Sequence, residues 1–266
     1  MKLSLAARTF ITLVVVLGLC VLGDALVNPG AMHPAQLAAF LVVACVAARL
    51  KVKLPGLTGS MSVNLPFILI AAVATGTSML EALTVACVSN LVQCLPRADQ
   101  TFSPMRAAFN VSTMALAVEV TRLVFAWPAL AGWISSPSLR LGVAATAFFL
   151  VNTVAVAIVI SLTETTTTES QGSPSSGFFR GVFSAWLGLS QLTFPYFLAS
   201  AGVAAAVLTA AANVGWLEPA LILPVMLAFY YSYRKVFSLT SRLGSEALRK
   251  GTQSQGVGER SGAALA

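Results

Sequence analysis

Residues 9–27 read TFITLVVVLGLCVLGDALV, an apolar run with a single carboxylate, and Lys2 and Arg8 stand just ahead of it. A helix needs about 20 such residues to cross the hydrocarbon core of a bilayer. The same pairing of apolar run and flanking cations recurs down the chain. Arg49, Lys51 and Lys53 follow the second run, Arg97 and Arg106 the fourth, and Arg234, Lys235, Arg242, Arg249 and Lys250 the last. The connections after runs one, three, five and seven carry almost no positive charge. Cations that skip every other connection mark a multi-pass membrane protein whose basic loops and both ends stay in the cytoplasm. The first run has the basic lead of a signal peptide, but its length and lack of a small-x-small cleavage site favour a retained helix.

Composition points the same way. Hydrophobic residues make up 57% of the chain and charged residues 9%, where a soluble domain carries roughly a quarter charged. Lipid must therefore cover most of the surface, which sets the expectation of a multi-pass protein of the plasma membrane. The net charge of +7 sits at helix ends, where anionic headgroups hold it, so nucleic acid is not an expected partner. Cys20, Cys45, Cys87 and Cys94 all fall within apolar runs, no CxxC pair occurs, and His33 is the one histidine. A metal or haem site is not expected from that set, and no cofactor is implied.

Eight spans follow: 9–27, 35–50, 62–76, 78–95, 106–127, 140–162, 192–213 and 217–236. The fold class is thus all-α, a polytopic helix bundle over 1–236 with N-in/C-in topology. Span 62–76 is short and ends at Thr75-Gly76, so with 78–95 it could instead form a re-entrant hairpin that leaves later sidedness unchanged. The segment 163–177, TETTTTESQGSPSSG, reads as a flexible cytoplasmic loop. Beyond it, Phe178, Phe179, Val182, Phe183, Trp186 and Leu187 recur at helical spacing. Two readings of 178–191 stay open, an amphipathic interfacial helix or an extension of the seventh span. Residues 237–266 form a cytoplasmic juxtamembrane helix, to about 250, and a Gly/Ser/Gln-rich disordered tail.

Ionisable groups within spans are costly and stand as functional candidates. Asp24, Glu81, Glu119 and Arg122 all lie toward the outer ends of their spans, and Glu119 and Arg122, three apart, share a helix face and could pair. A compact bundle would let them line an outward-opening ligand pocket with Arg122 as anchor, rimmed by Arg140 and Glu218. The alternative is that Asp24 and Glu81 sit at headgroup depth and Glu119–Arg122 is a structural clasp. A second set lies toward the cytoplasm: Asn64, Asn90, Gln93 and Asn110, with Asn152 in the sixth span. Amides of this kind glue membrane helices by hydrogen bonds of about 0.6–2 kcal/mol, and helix packing is their expected role. Asn110-Val-Ser matches a glycosylation sequon but opens a span on the cytoplasmic side.

Catalytic signatures do not emerge. The chain holds no GxSxG, HExxH or Walker A run. Its two aspartates in range of the spans, Asp24 and Asp99, fall on opposite sides of the membrane. No enzymatic activity is expected.

Several segments are familiar together: RLKVKLPGLTGSMSVN at 49–64 leading into LPFIL, Leu91-Val92-Gln93-Cys94, Ala108-Phe109-Asn110, and Leu223-Pro224 ahead of Tyr231-Ser232-Tyr233-Arg234. This pattern resembles the N-terminal multi-helix membrane sensory region found in some bacterial proteins ahead of cyclic-di-GMP output domains of the HD-GYP or GGDEF type. The resemblance implies a sensory or anchoring module whose last span passes a signal onward, here to a cytoplasmic signalling enzyme as partner, since the output domain is expected to be absent from this chain. Leu65-Pro66 and the Gly76 turn also resemble substrate-binding components of vitamin transporters, which implies a small-solute site and a transporter subunit as partner. A structural assembly role is the third reading. Small residues such as Gly202, Ala204, Ala205 and Ala206 permit close helix contact, within the chain or in a homo-oligomer.

Overall fold

A computed structural model describes residues 4–53, 60–74, 76–96, 102–164 and 174–214, with 231, 232 and 235. Apart from those three residues the eighth span 217–236, with the helix and tail of 237–266 and most of the loop 163–177, lies outside the described residues. The chain is all-helical apart from one small hairpin. Its helices are α1 (Leu5–Val27), α2 (Pro34–Arg49), α3 (Leu65–Val73), α4 (Met79–Cys94), α5 (Pro104–Ala126), α6 (Pro128–Trp133), α7 (Pro137–Glu164) and α8 (Pro174–Val214). Among the described residues, four segments are long and apolar enough to cross a membrane: α1, α5, residues 137–163 of α7 and 193–210 of α8. α2 and α4 are shorter apolar helices.

Local chemistry sets the helix ends. Proline opens α2, α5, α6 and α7, where its missing N–H costs nothing and its fixed φ suits the first turn. The Ser4 hydroxyl accepts from Ala7 N to cap α1 and donates to the Leu162 carbonyl at 3.1 Å, fastening the start of α1 to the end of α7. α6 buries none of its residues, and the flanking Trp127 and Trp133 are 59% and 91% exposed. Large amphipathic rings standing free at a helix end suit the headgroup layer.

The expected span 62–76 is resolved differently. Lys51–Lys53 and Ser60–Ser62 pair as antiparallel strands β1 and β2, with Val52 opposite Met61. The helix that follows, α3, is only nine residues, about 14 Å at 1.5 Å per residue, so it cannot cross a bilayer alone. Leu65 through Ala72 are all buried. A helix apolar on every face belongs in the middle of a bundle, and α3 touches α2, α4, α5 and α8. The chain then reverses at Gly76, whose φ of 86° is a left-handed conformation that glycine adopts without strain.

Of the two readings of 178–191, the structure shows the continuous one. α8 runs unbroken through 41 residues with Pro195 inside, so the helix enters well before 192. The cause is packing against α7. Phe149 meets Trp186, Phe194 and Phe197 at ring separations of 6.4, 5.1 and 5.0 Å, and the Trp186 indole N–H donates to the Thr153 hydroxyl at 3.1 Å. Trp186 thereby finds an apolar wall and a polar partner inside the protein rather than at the lipid surface.

α1 closes on α5 at one tight crossing. A Cβ on Gly18 would lie 2.5 Å from the Ser112 Cβ, while one on Gly23 would meet nothing within 4 Å. Gly18→Ala is expected to destabilise by about 1–3 kcal/mol through overpacking. Gly23→Ala should be neutral or gain up to about 1 kcal/mol from helix propensity. Thermal unfolding of the two purified variants in detergent checks the contrast, and equal midpoints would contradict the crossing.

Candidate functional site

The outer ionisable groups are engaged chiefly with backbone. Ser78 caps α4, and with Glu81 it forms a capping box. Glu81 N donates to the Ser78 hydroxyl at 3.2 Å, and Ser78 N donates to Glu81 Oε2 at 2.9 Å. The other Glu81 oxygen accepts from His33 N, and the His33 ring nitrogen Nδ1 stands 3.9 Å away. One buried carboxylate thus satisfies two backbone donors and carries the α1–α2 connection onto the start of α4. The acid also sits at the positive end of a helix. Arg122 donates to the Thr77 carbonyl at 3.1 Å, holding the same turn from α5.

Asp24 is exposed and accepts from the Asn28 amide at 3.1 Å. Glu119 is half-buried, and no ion pair joins it to Arg122 among the described residues. The Arg140 guanidinium lies 5.2 Å over the Phe125 ring, and Glu218 is outside the described residues. The cavity beside Glu81, lined by Gln36, Phe40, Thr77 and Val85 among others, measures about 10 Å³, room for about one water.

The amide set behaves differently. Asn64, Asn90, Gln93, Asn110 and Asn152 all line one cavity of about 250 Å³. They arrive from separate elements: Asn64 at the N-cap of α3, Asn90 and Gln93 on α4, Asn110 on α5 and Asn152 on α7. α8 completes the lining with Leu189, Thr193, Tyr196 and Phe197, and Ile68, Met114, Phe148 and Val156 supply further apolar surface. The cavity lies at the strand-to-helix junction just ahead of α3.

Part of this set does bind helices together. The Ser62 hydroxyl donates to Asn64 Oδ1 at 2.6 Å, and Asn64 Nδ2 donates to the Ser89 hydroxyl at 3.1 Å. Tyr196 donates its hydroxyl proton to the Ser62 carbonyl at 2.6 Å, tying α8 to the strand end. Asn90 Nδ2 donates to the Asn110 carbonyl at 2.8 Å, and Asn110 Nδ2 reaches Cys94 Sγ at 3.5 Å. Asn152 bonds no protein group among the described residues. Asn64, Asn90 and Asn110 are therefore at once glue and lining, Asn152 is lining without a protein partner among the described residues, and Thr193, Tyr196 and Phe197 join them without having stood out in the sequence.

A family model, MASE9, matches residues 9–184. The chain belongs to the MASE9 family. MASE9 is a family of membrane-associated sensory domains. The matched residues carry all five amides, whereas Leu189, Thr193, Tyr196 and Phe197 of α8 lie beyond them. No curated protein and no solved structure matches the chain.

Asn64 and Asn152 predict opposite outcomes in the MASE9 bundle. Asn64→Ala strips a buried bridge, taking from the Ser62 hydroxyl its acceptor and leaving Ser89 only its bond to the Ala86 carbonyl, so it should cost about 1–3 kcal/mol. Asn152→Leu removes a side chain with no protein partner and should change stability by less than about 1 kcal/mol. Unfolding midpoints of the purified variants decide, and a larger loss at Asn152 than at Asn64 would contradict the network.

Proposed function

We propose that the chain is a non-catalytic sensory module of the bacterial inner membrane that acts through a partner. The observation carrying this reading is the amide-lined cavity at the start of α3, inside a bundle of a membrane sensory family. Five helices, α3, α4, α5, α7 and α8, contribute to its wall. A ligand or membrane state that fits one packing of that wall better than another shifts the population between them. α8 lines the cavity and leads toward the chain's remaining residues, the route by which a change would leave the bundle. The partner is a cytoplasmic signalling enzyme, and the resemblance drawn from residues 49–64, 91–94, 108–110 and 223–234 favours a cyclic-di-GMP enzyme of the GGDEF or HD-GYP type.

Both ends in the cytoplasm, with α3 and α4 as a re-entrant hairpin that leaves the later sidedness unchanged, complete the reading. In that topology α6 is outside and the α4–α5 connection inside. In a cysteine-free background, Ala131→Cys should react in intact cells with a membrane-impermeant maleimide. Ser103→Cys should react only after the membrane is opened. The reverse pattern overturns the orientation.

The partner is tested by cross-linking a tagged copy in native membranes and identifying what it captures by mass spectrometry. A cyclase, phosphodiesterase or kinase as the main product is the expected result. An ATPase with a coupling membrane subunit would replace the sensory reading with a transport component that binds a small solute. Recovery of the chain alone would replace it with a self-associating structural role.

A further inference from the structure

The geometry points to the α3 cavity as a binding site for a small neutral planar molecule that carries hydrogen-bond donors, of the phenol kind. This rests on the sensory reading only for its consequence, since binding itself needs no partner. Three observations converge on the class. The first is charge. Among the described residues, no Asp, Glu, Lys, Arg or His lines the 250 Å³ space, so an ion there would lose its water without a counter-charge from them.

The helix end does not substitute for one. Leu65 of α3 lines the cavity, but Pro66 has no N–H, and the amides of Phe67 and Ile68 already donate to the Asn64 carbonyl at 3.1 and 3.3 Å. The usual cluster of free amides that draws an anion to a helix N-terminus is spent.

The second observation is the balance of donors and acceptors. Asn90 and Asn110 each commit Nδ2 to a protein acceptor and keep Oδ1 uncommitted, and Asn152 has no protein partner among the described residues. These three amides keep four N–H donors against the two lone pairs on each of their three oxygens, so acceptor sites are in the majority and an O–H or N–H on a ligand satisfies them. The third is the rest of the wall. Phe148, Phe197 and Ile68 offer apolar and aromatic surface, against which a ring packs. The volume falls just below the ~300–1,000 Å³ of drug-sized pockets, which selects a molecule smaller than those.

Trp186 makes the binding readable, because its indole N–H bonds the hydroxyl of Thr153, which lines the cavity. A single-tryptophan protein is made by replacing Trp127, Trp133 and Trp216 with Phe. It is titrated in detergent with three matched probes: phenol, its donor-free ether anisole, and benzoate. Phenol is expected to change the Trp186 emission saturably, anisole to bind at least tenfold more weakly, and benzoate not to bind.

Asn152→Leu should weaken phenol at least tenfold while keeping the parent unfolding midpoint. Asn110→Leu provides the same test should that protein fail to fold, because among the described residues its side chain bonds only Cys94. Similar responses to phenol and anisole, binding of benzoate, no response to phenol, or unchanged phenol affinity in the folded variant would each overturn the proposal. Partner recovery is measured separately in membranes, so the loss of either result leaves the other readable.

Discussion

The structure depends on enclosing α3, a helix too short to cross a bilayer and apolar on every face. In hydrocarbon each unmet backbone group costs several kcal/mol, so both ends of such a helix must find partners within the protein. At one end the chain enters from a strand, and the Ser62 carbonyl there accepts the Tyr196 hydroxyl while the Asn64 side chain spans Ser62 and Ser89. At the other end the Gly76 turn is held by Arg122 on the Thr77 carbonyl and by Glu81 on Ser78 N. Lipid tails are as apolar as leucine and give little drive to helix association. These polar fastenings, together with close contacts such as Gly18 on Ser112, therefore choose which packing of the bundle prevails.

The two ends differ in what their fastening leaves over. At the Gly76 end the groups are charged and nearly consumed. Glu81 divides its two oxygens between His33 and Ser78, and the remaining space is about 10 Å³. At the Ser62 end the groups are neutral amides, each with two hydrogen-bonding faces, and the elements splay around the strand-to-helix junction. Asn64 commits both ends of its amide, Asn90 and Asn110 commit one, and about 250 Å³ stays open. The same constraint thus yields a clasp at one end and a cavity at the other.

How much of this was legible in the sequence follows from which interactions are local. The cations at Arg49, Arg106 and the flanking loops, with the prolines at 34, 104 and 137, place the helix ends because charge and cap chemistry act within a few residues. The Ser78-Met-Leu-Glu81 spacing carried a capping-box signal, which reassigns Glu81 from pocket candidate to helix cap. Lys51-Val52-Lys53 and Ser60-Met61-Ser62 alternate polar and apolar, the period of a strand, yet three residues are too few to outweigh the apolar run beside them. Asn64, Asn90, Gln93, Asn110 and Asn152 were recognisable as polar residues inside spans. Their convergence on one cavity was not, because it needs α3, α4, α5 and α7 brought together across some 90 positions. Tyr196 and Phe197 carry no local mark at all.

α8 connects the cavity to the rest of the bundle, and its composition bears on how. Pro195 lacks the N–H that would bond the carbonyl four residues earlier, at Gln191, so the ladder is weakest between 191 and 195. Thr193, Tyr196 and Phe197, which line the cavity, bracket that break, and Trp186 sits about two turns before it. Below the break α8 is held to α7 by Trp186 on Thr153 and by Phe149 against Phe194; above it, Tyr196 holds the Ser62 carbonyl. A helix fastened on both sides of its weakest turn can bend there at small cost, while rigid halves carry the bend outward. The cavity wall, the missing backbone bond and the two fastenings fall within about three helical turns of one another, which makes α8 the element whose shape is most closely linked to what the cavity holds.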